Sequence, residues 1–207
     1  FVVTMCVSVP LGVVMAALTR GGRGRRTELA FTSSSAVVAA IPDFLLLVGL
    51  VYVFGVSLRW LPVAGRSGPS SFVLPVLALA SGSTAVLARI VRVEMLAVLD
   101  ADFVRTARAK RLPVWRVYLR HVLPNALTTT LTAGGLLLSG LIAGTVLVEN
   151  VLSWPGLGST MVASILSKDY PVVQGVVLVY GLGVLAINLV VDVLLALLDP
   201  RSAIKES

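Results

Sequence analysis

Few side chains in this sequence could do chemistry alone, and those few are scattered. Cys6 is the only cysteine and His121 the only histidine among 207 residues. One cysteine closes no disulfide within the chain, and a single histidine builds no metal site. The three lysines, Lys110, Lys168 and Lys205, end no glycine-rich loop, so no P-loop can cradle a nucleotide here. No nucleophile–base pair is visible. An enzyme is therefore the weakest reading, no cofactor is expected in the chain, and any ATP chemistry falls to a partner. What remains is a handful of polar groups inside long apolar runs. Asp43 follows Pro42 near the middle of one such run. A lone carboxylate at mid-membrane costs a few kcal/mol, so it should face the bundle interior or water. It is either a pathway or gate residue or an interior acid beside backbone groups freed by Pro42. Asn188 and Asp192 are spaced i, i+4 and read as helix–helix contacts. Glu149 closes another run and could order the loop from Trp154 to Gly158; Glu149 and Trp154 join Asp43 as pathway candidates.

The elements that position these groups follow from composition. The chain is 57% hydrophobic and 13% charged, with a mean hydropathy of +0.97. Soluble domains carry about 25% charged residues. Apolar runs cover roughly residues 1–19, 29–56, 72–91, 126–148 and 172–198. Each is long enough to span a bilayer as a helix, which takes about 20 residues. Lipid offers no water to an unpaired backbone, so helices are required. The expected fold is all-α: a polytopic membrane bundle of five visible spans, a single domain over 1–207. Phe1 lies inside an apolar run with no basic region before it, so residues 1–19 do not read as a signal peptide. Small residues crowd the runs, among them Ser33–Ser35, Ser81–Ser83 and the GxxxG pair Gly140 and Gly144, which lets helices approach closely.

Charge sets the orientation. Formal net charge is +7 and the pI is near 10.3, yet no basic stripe with interleaved aromatics marks a nucleic-acid partner. Arg20, Arg23, Arg25 and Arg26 lie between the first two runs. Eight more basic residues lie between Arg89 and Arg120, and Arg201 and Lys205 end the chain. The opposite side has only Arg59, Arg66 and Lys168. The positive-inside rule makes the crowded side cytoplasmic. Trp60 and Trp154 then fall in outer loops, where indoles favour the interface. A short outer helix is expected in the segment 150–171, with Leu157, Met161, Ile165 and Leu166 at helical spacing.

The inner loop, about 92–124, is too polar to span and too patterned to be disordered. Asp100 suits a helix N-cap, with Asp102 in the first turn where its charge complements the dipole. Phe103, Val104, Ala107 and Leu112 can share one apolar face, with Arg105, Arg108 and Lys110 opposite. Pro113 suits the start of a second short helix carrying Val114, Val117, Tyr118 and His121. Pro124 should turn Leu123 away from helix before the next span. Such a loop fits either a protein partner's groove or an anionic lipid surface.

Residues Asp102 to Ala126, DFVRTARAKRLPVWRVYLRHVLPNA, resemble the cytoplasmic coupling motif of permease subunits of ATP-binding-cassette (ABC) importers, in the oligopeptide/dipeptide/nickel branch. Three further stretches match that branch in order and spacing: VENVLSWPGLG over 148–158, KDYPVVQG over 168–175, and NLVVD over 188–192 with Asp199, Pro200 and Arg201 behind it. The resemblance covers nearly the whole chain. It implies that the inner loop docks on an ATP-hydrolysing subunit and passes motion to the spans. Asp102 and Arg108 belong to that motif, Phe103, Ala107 and Ala109 would face the partner, and His121, Pro124 and Asn125 would brace the return to the membrane. The family usually has glycine where this chain has Arg111. Either Arg111 takes a left-handed conformation, costing on the order of 1 kcal/mol, or the turn differs and Pro113 sets it.

The resemblance further implies a sixth span ahead of Phe1. The partners it implies are a second, related permease, two cytoplasmic ATP-binding-cassette subunits that bind ATP and Mg, and an extracytoplasmic substrate-binding protein, with lipid around the spans of a bacterial inner membrane. Di- or oligopeptides are the expected cargo, with nickel chelates as the alternative. From other classes, an ion-driven secondary transporter would show repeats that are not evident here, and a membrane scaffold would not need a patterned inner loop.

Overall fold

The apolar run 29–56 is not one continuous helix. It folds as α2 (Arg25–Ala40) and α3 (Asp43–Leu50), and the second limb continues with π-helical hydrogen bonding over Val51–Ser57. The limbs meet at 93°. Pro42 is the cause. It has no N–H, and its ring holds Ile41 in extended backbone, φ −79° and ψ 120°. The Pro42 carbonyl then accepts from the Leu45 and Leu46 N–H groups and starts the second limb. The computed structural model describes residues 1–22 and 24–198, so Arg23, the Asp199–Pro200–Arg201 motif and Lys205 lie outside the described residues.

Four other helical stretches are long and apolar enough to cross a membrane. They are α1 (Val2–Thr19), α4 (Val73–Leu99), α7 (Leu123–Val151) with the short α6 (Val114–Arg116) leading into it, and α9 (Tyr170–Leu198). The bent pair runs the length of the bundle beside them. Glu28 of α2 touches Arg92 near the cytoplasmic end of α4, while Phe54 and Leu61 pack with Leu74, Val148 and Leu152 at the other end. Counted as one broken span, it brings the total to the five expected. Among the described residues the chain is helices and connections without a strand.

Three boundaries differ from expectation. The third run continues as helix to Leu99, two turns past its apolar end, because Val91, Met95 and Leu99 remain on a buried face. Asp100 closes that helix rather than opening the next one; the Ala101 carbonyl accepts the first bonds of α5 (Asp102–Ala109). Pro124 does not stop the chain either. Leu123 is helical, and a π-helical stretch over Val117–Val122 joins α6 to α7. Pro124 falls in the first turn of α7, where a missing N–H is tolerated.

The tightest seam is α1 on α4. Thr4, Ser8, Gly12, Ala16 and Thr19 form one face of α1, and all five are buried. A Cβ on Gly12 would stand 2.8 Å from the Ala88 carbonyl oxygen and closer still to the Val91 side chain. By contrast α2 buries only Ser35, and most of α9 is exposed.

Candidate functional site

The loop between α4 and α7, expected on the cytoplasmic side, forms a helix, a tight turn and a second helix, as its pattern predicts. Its apolar residues divide between two directions. Val104 and Ala107 are buried in one apolar cluster with Met95 and Leu99 of α4 and Val117, Tyr118 and Val122 of the π-helical stretch, and Leu112 packs on the same cluster. Phe103 points away and is 46% exposed; Ala109 is exposed as well. Ala107 thus faces the chain's own core, so a partner meets Phe103 and Ala109 before it meets Ala107. Asp102 and Arg105 pair in the open at 3.3 Å. The side chain of Arg108 lies outside the described residues.

Arg111 takes the left-handed conformation itself, with φ 55°. The Lys110 N–H donates to the Thr106 carbonyl (3.1 Å) and the Leu112 N–H to the Ala107 carbonyl (3.4 Å). These bonds close the helix in the manner usual for a glycine at the Arg111 position. Beyond the turn, Pro113 precedes α6, and the Asn125 side-chain amide donates to the His121 carbonyl (2.7 Å). His121, Pro124 and Asn125 therefore sit at the return to the membrane.

By its position Arg92 counts among the loop charges, but the structure places it elsewhere. It lies in α4 with its side chain nine-tenths buried. Nη2 pairs with Glu28 Oε1 of α2 at 2.7 Å, and Nε donates to Thr19 Oγ1 of α1 at 2.9 Å. Thr19 in turn donates to the Met15 carbonyl. One signal could have located it: Arg92 continues the helical spacing of Ala85 and Ala88 and precedes Met95 and Leu99 on the same face.

Asp43 occupies the first turn of α3, at the break. Its carboxylate lies between α4 and α7. Cβ atoms on Gly82 and Gly144 would stand 3.4 and 3.5 Å from its two oxygens, so two glycines leave it room. Among the described residues it makes no hydrogen bond or ion pair to a side chain.

At the outer end, Glu149 orders the following loop. Its Oε2 accepts from the Gly158 N–H (2.8 Å) and the Ser159 N–H (3.1 Å) at the start of α8 (Leu157–Leu166). A Cβ at Gly156 would collide with that carboxylate, and one at Gly158 would stand 2.6 Å from the Val146 Cα. The Trp154 N–H donates to the Glu149 carbonyl, and its ring meets Phe72 edge-on at 4.8 Å. Asn188 accepts from Ser139 Oγ (3.2 Å) as a contact between α9 and α7, whereas Asp192 is exposed and, among the described residues, makes no such hydrogen bond.

The broken span and the four other long apolar helices together describe a multi-pass membrane protein. The chain belongs to the family of binding-protein-dependent transport system inner membrane components, whose model matches residues 8–204. It is 37% identical over 203 residues, 94% of this chain, to a Brucella suis biovar 1 protein provisionally named as a peptide transport system permease. It is 42% identical over 161 residues, 78% of this chain, to the glutathione transport system permease protein GsiC of Escherichia coli (strain K12). The chain spans 65% and 53% of the lengths of these two relatives. Its fold also matches a chain in an inward-facing structure of the MetNI methionine ABC transporter, with a TM-score of 0.73 and 20% identity, covering 95% of this chain and 88% of that one.

Proposed function

We infer that this chain is a non-catalytic, pore-forming permease subunit of an ATP-driven importer of di- or oligopeptides. A second, related permease completes the path, two cytoplasmic subunits hydrolyse ATP with Mg, and an extracytoplasmic binding protein delivers the substrate. The peptide and glutathione permeases among its relatives favour peptides over nickel chelates. Asp43, in its glycine notch at the break, is read as lining the path, and Glu149 and Trp154 as shaping its outer mouth.

The observation that carries this reading is Phe103. It is an exposed aromatic on a short helix whose opposite face is anchored in the chain's own core. Burying such a ring in a partner's groove is worth about 1.5–3 kcal/mol. The surrounding basic residues contribute mainly steering, which salt weakens. On an anionic lipid surface the balance reverses, because each basic residue there contributes about 1 kcal/mol. The test is co-purification of the ATPase subunit, with substrate-stimulated ATP hydrolysis, at low and high salt. Phe103→Ala should cut both by about tenfold or more, at either salt concentration. Arg108→Ala should cost less and vary with salt. Wild-type values for Phe103→Ala would remove the docking role and favour the lipid surface.

A further inference from the structure

The helix α2 is held in an unusual way for a membrane-spanning segment. At one end it is cut from α3 by the Ile41–Pro42 break and its 93° bend. Along its length only Ser35 is buried. Between it and the α1–α4 pair lies an open cleft of about 360 Å³, lined in part by Phe31, Ser34 and Val38 of α2 and Ser81 and Thr84 of α4. At the other end, Glu28 pairs with Arg92. With a hinge at one end, an ion pair at the other and a cleft behind it, α2 has room to pivot on the face it packs against α4.

The two partners of that ion pair are not equivalent. Arg92 stands on the closely packed α1–α4 seam, nine-tenths buried, and is held from the α1 side by Thr19. Glu28 is 41% exposed, close to water at the start of α2. Separation therefore moves the wet carboxylate and leaves the guanidinium in place with one hydrogen bond. Arg92 also lies one turn before Met95 and two turns before Leu99, which share one apolar cluster with Val104 and Ala107 of the cytoplasmic helix. A shift of α5 reaches Arg92 through a single continuous helix.

We propose that Arg92 and Glu28 are positioning residues for transport: their ion pair latches α2 over the cytoplasmic mouth of the path, and displacement of α5 through the end of α4 releases it. The coupling half of this proposal rests on the permease reading above; the latch itself does not.

The experiment separates the two. Ser35→Cys, in a Cys6→Ser background, reports the opening of α2 by its rate of reaction with a membrane-impermeant maleimide applied from the cytoplasmic side. Two latch variants are compared with it in the full complex: Glu28→Gln, and the paired change Glu28→Gln with Arg92→Met, which leaves no buried charge unpaired. Loss of a charge-assisted hydrogen bond should speed labelling by about tenfold or more in both. ATP hydrolysis without substrate should rise and substrate moved per ATP should fall, while Arg92→Lys keeps near-wild-type values of both. Unchanged labelling in the paired variant overturns the latch. Failure of both variants to assemble also overturns it, because the pair would then be a fixed structural tie. Faster labelling with an unaltered ratio of substrate to ATP keeps the latch and removes its link to ATP use. Faster labelling in a complex that hydrolyses no ATP removes the permease reading and leaves the latch.

Discussion

The two ends of the molecule each hold a short helix outside the membrane, and they hold it by different physics. At the outer end, α8 is locked by the Glu149 carboxylate, which takes two backbone N–H groups at the helix N-terminus, where the dipole favours negative charge. Gly156 and Gly158 let the chain pass close enough for that bond. At the cytoplasmic end, α5 packs through an apolar face. It rests on apolar contacts of Val104 and Ala107 and turns away through a strained residue, Arg111. Directional hydrogen bonds fix orientation, whereas an apolar footprint tolerates small slides and tilts. The outer helix is thus fixed in orientation, and on the reading proposed above the inner one is gripped at Phe103 and moved.

That contrast can be broken at three strengths. Glu149→Ala carries the largest expected effect. It leaves two N–H groups without their charged acceptor, which costs about 2–3 kcal/mol. Hydrogen exchange at the Gly158 and Ser159 amides should accelerate by well over tenfold, and exchange in α5 should not change. Acceleration at both ends would mean that the two helices are not held independently. At the inner end, Val104→Ala removes two buried methyl groups at a cost of about 1–2 kcal/mol. Amide exchange across α5 should then rise by roughly tenfold, with α8 unaffected; an α5 as protected as in wild type would show that its apolar footprint is not what holds it. The smallest effect has the opposite sign. Arg111→Gly relieves a left-handed conformation worth about 1–2 kcal/mol and adds backbone entropy to the unfolded chain worth about 0.5–1 kcal/mol. A net gain of about 0.5 kcal/mol should appear as slightly slower exchange at Lys110 and Leu112. Faster exchange there would show that the arginine side chain contributes something the turn geometry does not reveal.

Much of this arrangement was legible in the residues. The five spans, the short helix at 157–166, the helix–turn–helix from Asp102 and the ordering role of Glu149 all follow from apolar run length, spacing and turn chemistry. The doubt at Arg111 was also legible, since a non-glycine residue at that position had to bear strain or move the turn. Asp192 misled because its spacing from Asn188 looked like one contact face, yet only Asn188 meets α7. Arg92 misled for a different reason: a positive residue near the cytoplasmic edge counts as a loop charge until the length of its helix is known.

Sequence alone determined what each segment is, because the preference for helix in lipid and the disruption caused by proline act within a few residues. It could place a break at Pro42 but not the angle of that break. Tertiary structure decided which face each helix spends inside the chain. Val104 and Phe103 are adjacent and both apolar, yet one is buried and the other exposed. The acceptors of Arg92 lie on α1 and α2, far away in sequence. Burial and ion pairing depend on which surfaces meet when the helices assemble, and no local pattern of residues records that meeting.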